Sequence, residues 1–359
     1  MKTIIQVVQH LKVGGLETMV LGLLRFSNYS QQMTIISLEG DKESAIEAWP
    51  QLEYFQEQLI FLNKPAGFSL VLIFQLLRIF IQLHADVVHT HHIGPYFYAG
   101  LASRLASISL IHTEHDAWHY KNKRHQLLQR IINFLTTPTV IADADTVANT
   151  LNTLVGMKNI QVIKNGVDID KYIPGNQNSA REELNLLKDI KLIGVSGRLE
   201  GVKGHHVLIE AMSILPSDVH LAIAGIGSLK DELIALSTSL KITDRVHFLG
   251  YVNNMTCFYQ ALDLFCLPSY NEGFPLASLE AQACDIPTAL TNVGGAIETL
   301  CPKSGIVLKV GDAKDMAEKI LTYLYEGIVT SPRQFVVLNA NIRTMVSAYD
   351  ALTEISQYG

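Results

Sequence analysis

Short apolar runs and amphipathic stretches alternate along the whole chain. The runs Thr3–Val8, Met33–Leu38, Leu59–Leu62, Asp86–Thr90, Leu110–Thr113, Thr139–Ala142 and Ile160–Ile163 carry few polar positions. They read as strands buried on both faces rather than as half-exposed ones. Between them, apolar residues recur at helical spacing in Thr18–Phe26, Phe68–Leu83, the segment up to Ala106, and Lys121–Leu135. Strand–helix alternation of this kind predicts a mostly parallel sheet with helices on both faces. A turn-rich stretch from Asn165-Gly166-Val167-Asp168 to Pro174-Gly175-Asn176 then interrupts the pattern, which marks a domain boundary. Alternation resumes beyond it, with strands expected at Lys191–Ser196, Val219–Gly225, Arg245–Leu249, Leu262–Leu267, Pro287–Leu290 and Gly305–Leu308. A helix follows at Ala313–Tyr325, and a last one near Asn339–Ile355 has no strand after it. The expected organisation is a first sheet domain over residues 1–165, a second over 166–337, and a C-terminal helix over 338–359 that crosses back to the first.

Composition narrows the class. The 359 residues exceed what a single core of about 250–300 residues holds, in line with two domains. A formal charge of −6 and a pI near 6.1 exclude a general nucleic-acid binder. The longest apolar segment, Leu70–Leu83, is broken by Gln75, Arg78 and Gln82; it falls short of the roughly 20 residues a bilayer span needs. Met1-Lys2 leads straight into the first strand, so no leader is expected and the location expected is cytoplasmic. Cys257, Cys266, Cys284 and Cys301 form no Cys-x-x-Cys pair, so buried free thiols are expected rather than disulfides or a zinc site.

Candidate chemistry collects where strands end. In Ser269-Tyr270-Asn271-Glu272-Gly273-Phe274-Pro275-Leu276-Ala277-Ser278-Leu279-Glu280, seven residues separate two glutamates. Pro275 suits a first helical position, so a helix is expected from there to about Cys284. Its free N–H groups and positive dipole end would hold a phosphate, with Glu280 deeper along it in reach of a sugar hydroxyl. Gly197-Arg198-Leu199-Glu200-Gly201-Val202-Lys203-Gly204 places a planar fork and a point charge in a glycine-rich turn, a pairing suited to a diphosphate. Gly14-Gly15 in the first strand–helix turn would let a ligand approach the backbone, without the third glycine of a dinucleotide fingerprint. Asn292-Val293-Gly294-Gly295 is expected to open another helix. His89 and His91 share a strand face, but no carboxylate or cysteine spacing completes a metal set around them. His115, just beyond its strand, is the better candidate for touching a ligand. The basic start of Lys121–Leu135 fits either a helix packed on the sheet or a patch that meets anionic lipid.

Taken together, Glu272 with Glu280 around Gly273-Phe274-Pro275, Gly197-Arg198 with Lys203-Gly204, Asn165-Gly166-Val167-Asp168, Gly14-Gly15-x-Glu17 and His112-Thr113-Glu114-His115-Asp116 occur in an order that resembles glycosyltransferase family 4 along nearly the full length. The resemblance implies an α/β protein of the GT-B fold, with two Rossmann-like doubly wound parallel-sheet domains facing across a cleft. It implies that Arg198 and Lys203 neutralise the donor diphosphate and Glu280 binds the ribose. Glu272 would face the donor sugar, and His115 would contact the sugar being transferred. Gly14, Gly15, Gly273, Phe274, Pro275 and Leu276 would surround the phosphates, with only the N–H groups of Gly15, Phe274 and Leu276 donating. Backbone at Gly250-Tyr251 would read the base. The activity implied is retaining transfer of a sugar from a nucleotide-diphosphate sugar, UDP before GDP, to a glycan or lipid-linked acceptor, as in bacterial surface polysaccharide synthesis. A non-catalytic nucleotide-sugar-binding subunit and a GT-B sugar-nucleotide epimerase are the alternatives. The donor is a co-substrate, and no cofactor or metal is implied. Asp143-Ala144-Asp145 and Asp168-Ile169-Asp170 match Asp-x-Asp but sit at a helix start and at the domain boundary. The implied location is the cytoplasm, with peripheral contact at the cytoplasmic face of the inner membrane. The chain departs from the family at Thr18, where Arg is common, and at Asp143, where Ser is common.

Overall fold

The computed structural model describes residues 2–327 and 330–355. Its elements fall into two units, one of residues up to Asn165 together with those from Ile342, the other from Gly166 to Asn341.

The first unit alternates β1 (Ile4–Val8), α1 (Gly15–Phe26), β2 (Met33–Ser37), α2 (Lys42–Ala48), β3 (Leu59–Phe61), α3 (Leu70–Gln82), β4 (Val87–His91), α4 (Ile93–Ala106), β5 (Ser109–Glu114), α5 (Lys123–Thr136), β6 (Thr139–Ala142), α6 (Asp145–Thr150) and β7 (Gln161–Val162). The strands form one parallel seven-stranded sheet in the order β3-β2-β1-β4-β5-β6-β7. The chain starts mid-sheet, winds outward to β3, and returns beside β1, so its direction of travel reverses between β1 and β4. Such a reversal splays neighbouring loops apart at the C-terminal edge and opens a ligand crevice there. Ile5, Val7, Ile36 and Val88 from the sheet pack with Leu72, Leu76 and Phe80 of α3, Ala99 and Ala102 of α4, and Ile132 of α5 in one core.

The second unit runs α7 (Gln177–Glu183), β8 (Lys191–Ser196), α8 (His205–Met212), β9 (Val219–Ala224), α9 (Lys230–Ser239), β10 (Val246–Gly250), α10 (Met255–Gln260), β11 (Leu264–Leu267), α11 (Leu276–Ala283), β12 (Thr288–Thr291), β13 (Ile306–Leu308), α12 (Ala313–Glu326) and α13 (Arg333–Asn339). Its sheet, also parallel, is six-stranded in the order β10-β9-β8-β11-β12-β13 and reverses between β8 and β11. The last helix, α14 (Ile342–Ile355), belongs to the first unit. Asp350 ties it to the end of α1, accepting from Ser27 Oγ at 2.6 Å and from the Asn28 N–H at 2.9 Å.

Strands arise where the apolar runs predict them, within a residue or two. Two local readings change. His91 lies inside β4, because pairing with β5 continues to Thr113. The turn at Asn292–Gly295 leads only to one 3-10 turn, Ala296–Thr299. Pro302 follows closely, and the residue before a proline is driven out of helical geometry.

Candidate active site

In the second unit the two loops flanking the reversal carry the charged residues. The loop after β8 ends in a 3-10 turn, Gly201–Lys203, and the loop after β11 carries Glu272. A backbone bond from the Tyr270 N–H to the Val202 carbonyl, 2.8 Å, stitches the two together. Lys203 Nζ then lies 2.7 Å from Glu272 Oε1, and Ser269 Oγ donates to the same oxygen at 2.6 Å. The Glu272 side chain is only 7% exposed and that of Lys203 is 22% exposed. Gly294, at φ +52°, packs so closely that a Cβ there would lie 1.8 Å from the Glu272 carbonyl oxygen, so any side chain would push the loop away. Arg198, in the same loop as Lys203, is exposed and its guanidinium has no partner among the described residues.

Pro275 sits one position earlier than expected, as the N-cap of α11 with φ −71° and ψ 110°, so Leu276 is the first helical residue. The extended ψ ends the loop and aims the first free N–H groups of the helix at the sheet edge. One turn further, Glu280 Oε2 accepts from the Tyr259 hydroxyl at 2.7 Å, and Tyr172 is hydrogen-bonded to the same carboxylate. Burial raises the Glu280 pKa, against the opposing pull of both phenols. Gly250 ends β10 at φ +66°, its carbonyl accepting from the Gly225 N–H at 2.7 Å, and Tyr251 beyond it is exposed. Ser269, Tyr172 and Tyr259 were not singled out from sequence: nothing in a local pattern distinguishes them from other loop and core residues.

In the first unit, Gly14 and Gly15 meet at the start of α1, with Gly14 as its N-cap. Glu17 curls back over this turn to within 3.2 Å of His10 Nδ1, and a Cβ on Gly14 would strike its Oε2 at 2.3 Å. At the ends of β4 and β5 the histidines form a connected cluster. His89 and His91 rings lie 4.2 Å apart. His91 Nε2 faces Gln6 Oε1 at 2.8 Å, and its Nδ1 faces His115 Nε2 at 3.0 Å. With the Gln6 carbonyl toward His91, neutral His91 donates from Nε2 and accepts at Nδ1, so His115 donates from Nε2 and its Nδ1 is a bare acceptor. That Nδ1 lies 3.3 Å from Asp143 Oδ2, which accepts from Asn165 Nδ2 at 3.0 Å. Burial, and then the charge on His92, push the His115 pKa down to about 3, while burial raises that of Asp143 well above its usual range. A neutral Asp143 avoids setting two bare acceptors against each other. His115 Nδ1, Asp143 Oδ1 and Asn165 Oδ1 are buried with no hydrogen-bond partner among the described residues. Unsatisfied atoms grouped in this way suit a ligand hydroxyl.

A second pair stands beside this cluster. His92, the N-cap of α4, adopts φ +65° and ψ 164°, a region nearly reserved for glycine, and such strain gathers at functional sites. Its Nδ1 lies 3.3 Å from Glu114 Oε1, while the Tyr120 hydroxyl donates to Glu114 Oε2 at 2.5 Å. Burial opposes ionisation of Glu114, but the nearby imidazoles of His112, at 3.6 Å, and His92, at 3.3 Å, more than offset it and hold its pKa well below the usual range. Burial likewise disfavours the imidazolium of His92, yet Glu114 raises its pKa to about 9. Among the described residues no group of three or more His, Cys, Asp or Glu is placed to hold a metal. All four cysteines are buried free thiols.

Two family models match the chain: Glycosyltransferase Family 4 over residues 13–171, and Glycosyl transferases group 1 over residues 176–335. A D-inositol 3-phosphate glycosyltransferase of Mycobacterium sp. (strain JLS) is 31% identical over 272 residues, 69% of this chain and 61% of the relative. The chain thus spans 61% of the length of that curated relative. Two solved structures align over almost everything, each with a TM-score of 0.85. One is the Anabaena protein HepE in complex with UDP and glucose, 21% identical, with 99% of this chain and 100% of that one covered. The other is a glycosyltransferase from Rickettsia africae, 22% identical, with 100% and 99% covered. Likeness at this identity establishes the fold, which is GT-B with two Rossmann-like parallel-sheet units.

Proposed function

Because the chain belongs to glycosyltransferase family 4, we propose that it moves a sugar from a nucleoside-diphosphate sugar to a saccharide acceptor with retention at the anomeric carbon. The observation that carries the reading is the Lys203–Glu272–Ser269 cluster at the reversal of the second sheet, with Arg198 in the same loop. Departure of the leaving group builds negative charge on the diphosphate, so fixed cations there act most strongly in the transition state. An ammonium has three N–H donors. Glu272 engages one and orients Lys203, which leaves two for phosphate oxygens. The exposed Arg198 offers its whole fork. We assign the first free N–H groups of α11 to the same phosphates, Glu280 to the ribose and the Gly250-Tyr251 backbone to the base. Glu272 is assigned to the donor sugar, and His115, from the first unit, to the sugar in transfer. The leaving phosphate itself takes the acceptor proton on the face it departs from.

UDP is the nucleotide we favour, since HepE was solved with it. The acceptor we favour is a lipid-linked or surface polysaccharide chain, met at the cytoplasmic face of the membrane. No helix among the described residues is long and apolar enough to cross a membrane, so contact of this kind would be peripheral. Calorimetry against UDP, GDP, ADP and CMP, then their sugar conjugates, tests the donor. One nucleoside diphosphate should bind the wild type and fail with Arg198→Ala. Silence across the panel, or an inverted anomer by NMR of the product, would sink the reading.

A further inference from the structure

Gln6 is the polar residue of β1, whose other positions are Ile4, Ile5, Val7 and Val8, and it is 2% exposed. A buried amide costs free energy unless its groups are hydrogen-bonded. Its partners lie on the strands to either side. Nε2 points to Met33 Sδ of β2 at 3.8 Å, and Oε1 lies 2.8 Å from His91 Nε2 of β4. His91 Nδ1 in turn meets His115 Nε2, just beyond β5, at 3.0 Å. The relay thus crosses the neighbouring strands β2-β1-β4-β5 and ends at the group assigned to the sugar in transfer. His89, opposite Gln6 in the strand register, lies against His91 with ring centres 4.2 Å apart and is itself held by Thr113 Oγ1 at 2.8 Å.

Burial, and then the neighbouring imidazoles, hold the His91 pKa well below its usual value, so His91 is neutral. A neutral imidazole has one N–H and one acceptor nitrogen. Whatever role His91 takes toward Gln6, it takes the opposite one toward His115. The relay therefore has two self-consistent states. With the Gln6 carbonyl toward His91, both histidines carry their protons on Nε2, and His115 Nδ1 is an acceptor. With the amide turned over, its NH2 would face His91 and both protons would sit on Nδ1. His115 would then donate toward Asp143 Oδ2, 3.3 Å away. The first state leaves His115 Nδ1 free beside two further oxygens without partners among the described residues, Asp143 Oδ1 and Asn165 Oδ1. The second spends Nδ1 on the carboxyl group. Met33 separates the two: a thioether accepts weakly from an amide N–H but offers nothing to a carbonyl oxygen.

We propose that Gln6, acting through His91, is a positioning residue that fixes His115 with Nδ1 free, so that this subsite accepts a hydrogen bond from a sugar hydroxyl and rejects a sugar with an ether or a hydrogen in its place. Neither Gln6 nor His91 touches the ligand. The inference rests on the transferase reading for the sugar, and on the strand contacts alone for the tautomer.

NMR of the full chain with isotope-labelled histidine ring nitrogens, and no substrate present, tests it. Such spectra separate protonated from bare ring nitrogens, and the two histidines are identified by the signals lost in His91→Gln and His115→Gln. Wild type should show a protonated Nε2 and a bare Nδ1 in both rings. Gln6→Met keeps the side-chain volume and removes the amide carbonyl. It should move the tautomer ratio of both rings roughly five- to tenfold toward protonated Nδ1, the worth of one hydrogen bond. In the same variant kcat/KM for sugar transfer should fall with the population of bare His115 Nδ1 that the spectra report. UDP alone, which has no sugar, should bind both proteins equally in calorimetry. A wild-type His115 protonated at Nδ1 overturns the proposal, whether or not the variant folds. So do unchanged tautomers in Gln6→Met, full turnover despite inverted tautomers, or a UDP affinity that falls in step with kcat/KM. The spectra need no substrate, so they can uphold the relay while donor calorimetry fails, and the reverse.

Discussion

Substituting Lys203 and Arg198 separately should divide stability from turnover. Lys203→Ala removes the cation from a carboxylate whose side chain is 7% exposed. A fully buried pair broken in this way costs about 3–5 kcal/mol, and a fully exposed one about 0–1 kcal/mol. Lys203 is 22% exposed, and Glu272 keeps the hydrogen bond from Ser269, which places the expected loss between these limits, at about 1–3 kcal/mol. For a unit of this size that is a fall in Tm of about 2–12 °C. Arg198→Ala removes an exposed side chain with no partner among the described residues, so its stability should stay within about 0.5 kcal/mol of wild type. Both variants should nevertheless lose roughly 10²–10³ in kcat, because both cations are assigned to the leaving diphosphate. The assays are thermal melts without ligand and initial rates at saturating donor. Glu272→Gln added to Lys203→Ala should restore much of the Tm by removing the stranded charge, without restoring turnover. A Lys203→Ala protein that melts like wild type would show that the pair is not stabilising. Near-normal turnover in either single variant would remove the diphosphate assignment.

Further outcomes follow from the same structure. His92 has a folded-state pKa raised to about 9 from 6.5, so its contribution is complete below about pH 6.5 and disappears as pH rises through about 9. Melting curves of His92→Gln should lack the decline in Tm that wild type shows across that window; parallel profiles would contradict the ion pair with Glu114. Asp143 is shifted the other way, upward by burial, so as an unfolded acid it ionises while the folded one resists, and it weakens the fold as pH rises above about 4. Asp143→Asn, whose amide can donate to His115 Nδ1, should therefore be more stable than wild type at pH 7, with the gain fading near pH 3.5; a destabilised variant at pH 7 would show that Asp143 is ionised. Glu280→Ala should weaken nucleotide binding in calorimetry more than it lowers kcat, and a pure kcat effect would refute its ribose role. Transfer should continue in excess chelator, since Arg198 and Lys203 supply the positive charge; lost activity restored by a divalent ion would refute that.

What could be read from the chain alone was local. Apolar runs buried on both faces located each strand, and glycine and proline located the turns, because strand burial and turn geometry are properties of a few consecutive residues. Glu272, Glu280, Arg198, Lys203 and His115 stood out for the same reason: each is a charged or titratable residue just past a strand end or early in a following helix. Their partners did not stand out. Lys203 and Glu272 are 69 positions apart and meet only because β8 and β11 are neighbours where the sheet reverses. Tyr172 and Tyr259 find Glu280, and His92 and Tyr120 find Glu114, by packing from separate elements. Which residues are charged at neutral pH was decided at the same level, since His92 and His115 are adjacent imidazoles whose pKa values are driven apart by burial and by one buried carboxylate. Periodicity reports which face of an element is buried, but not which element covers it. Strand order, and with it every contact that tunes the site, is a property of the assembled sheet.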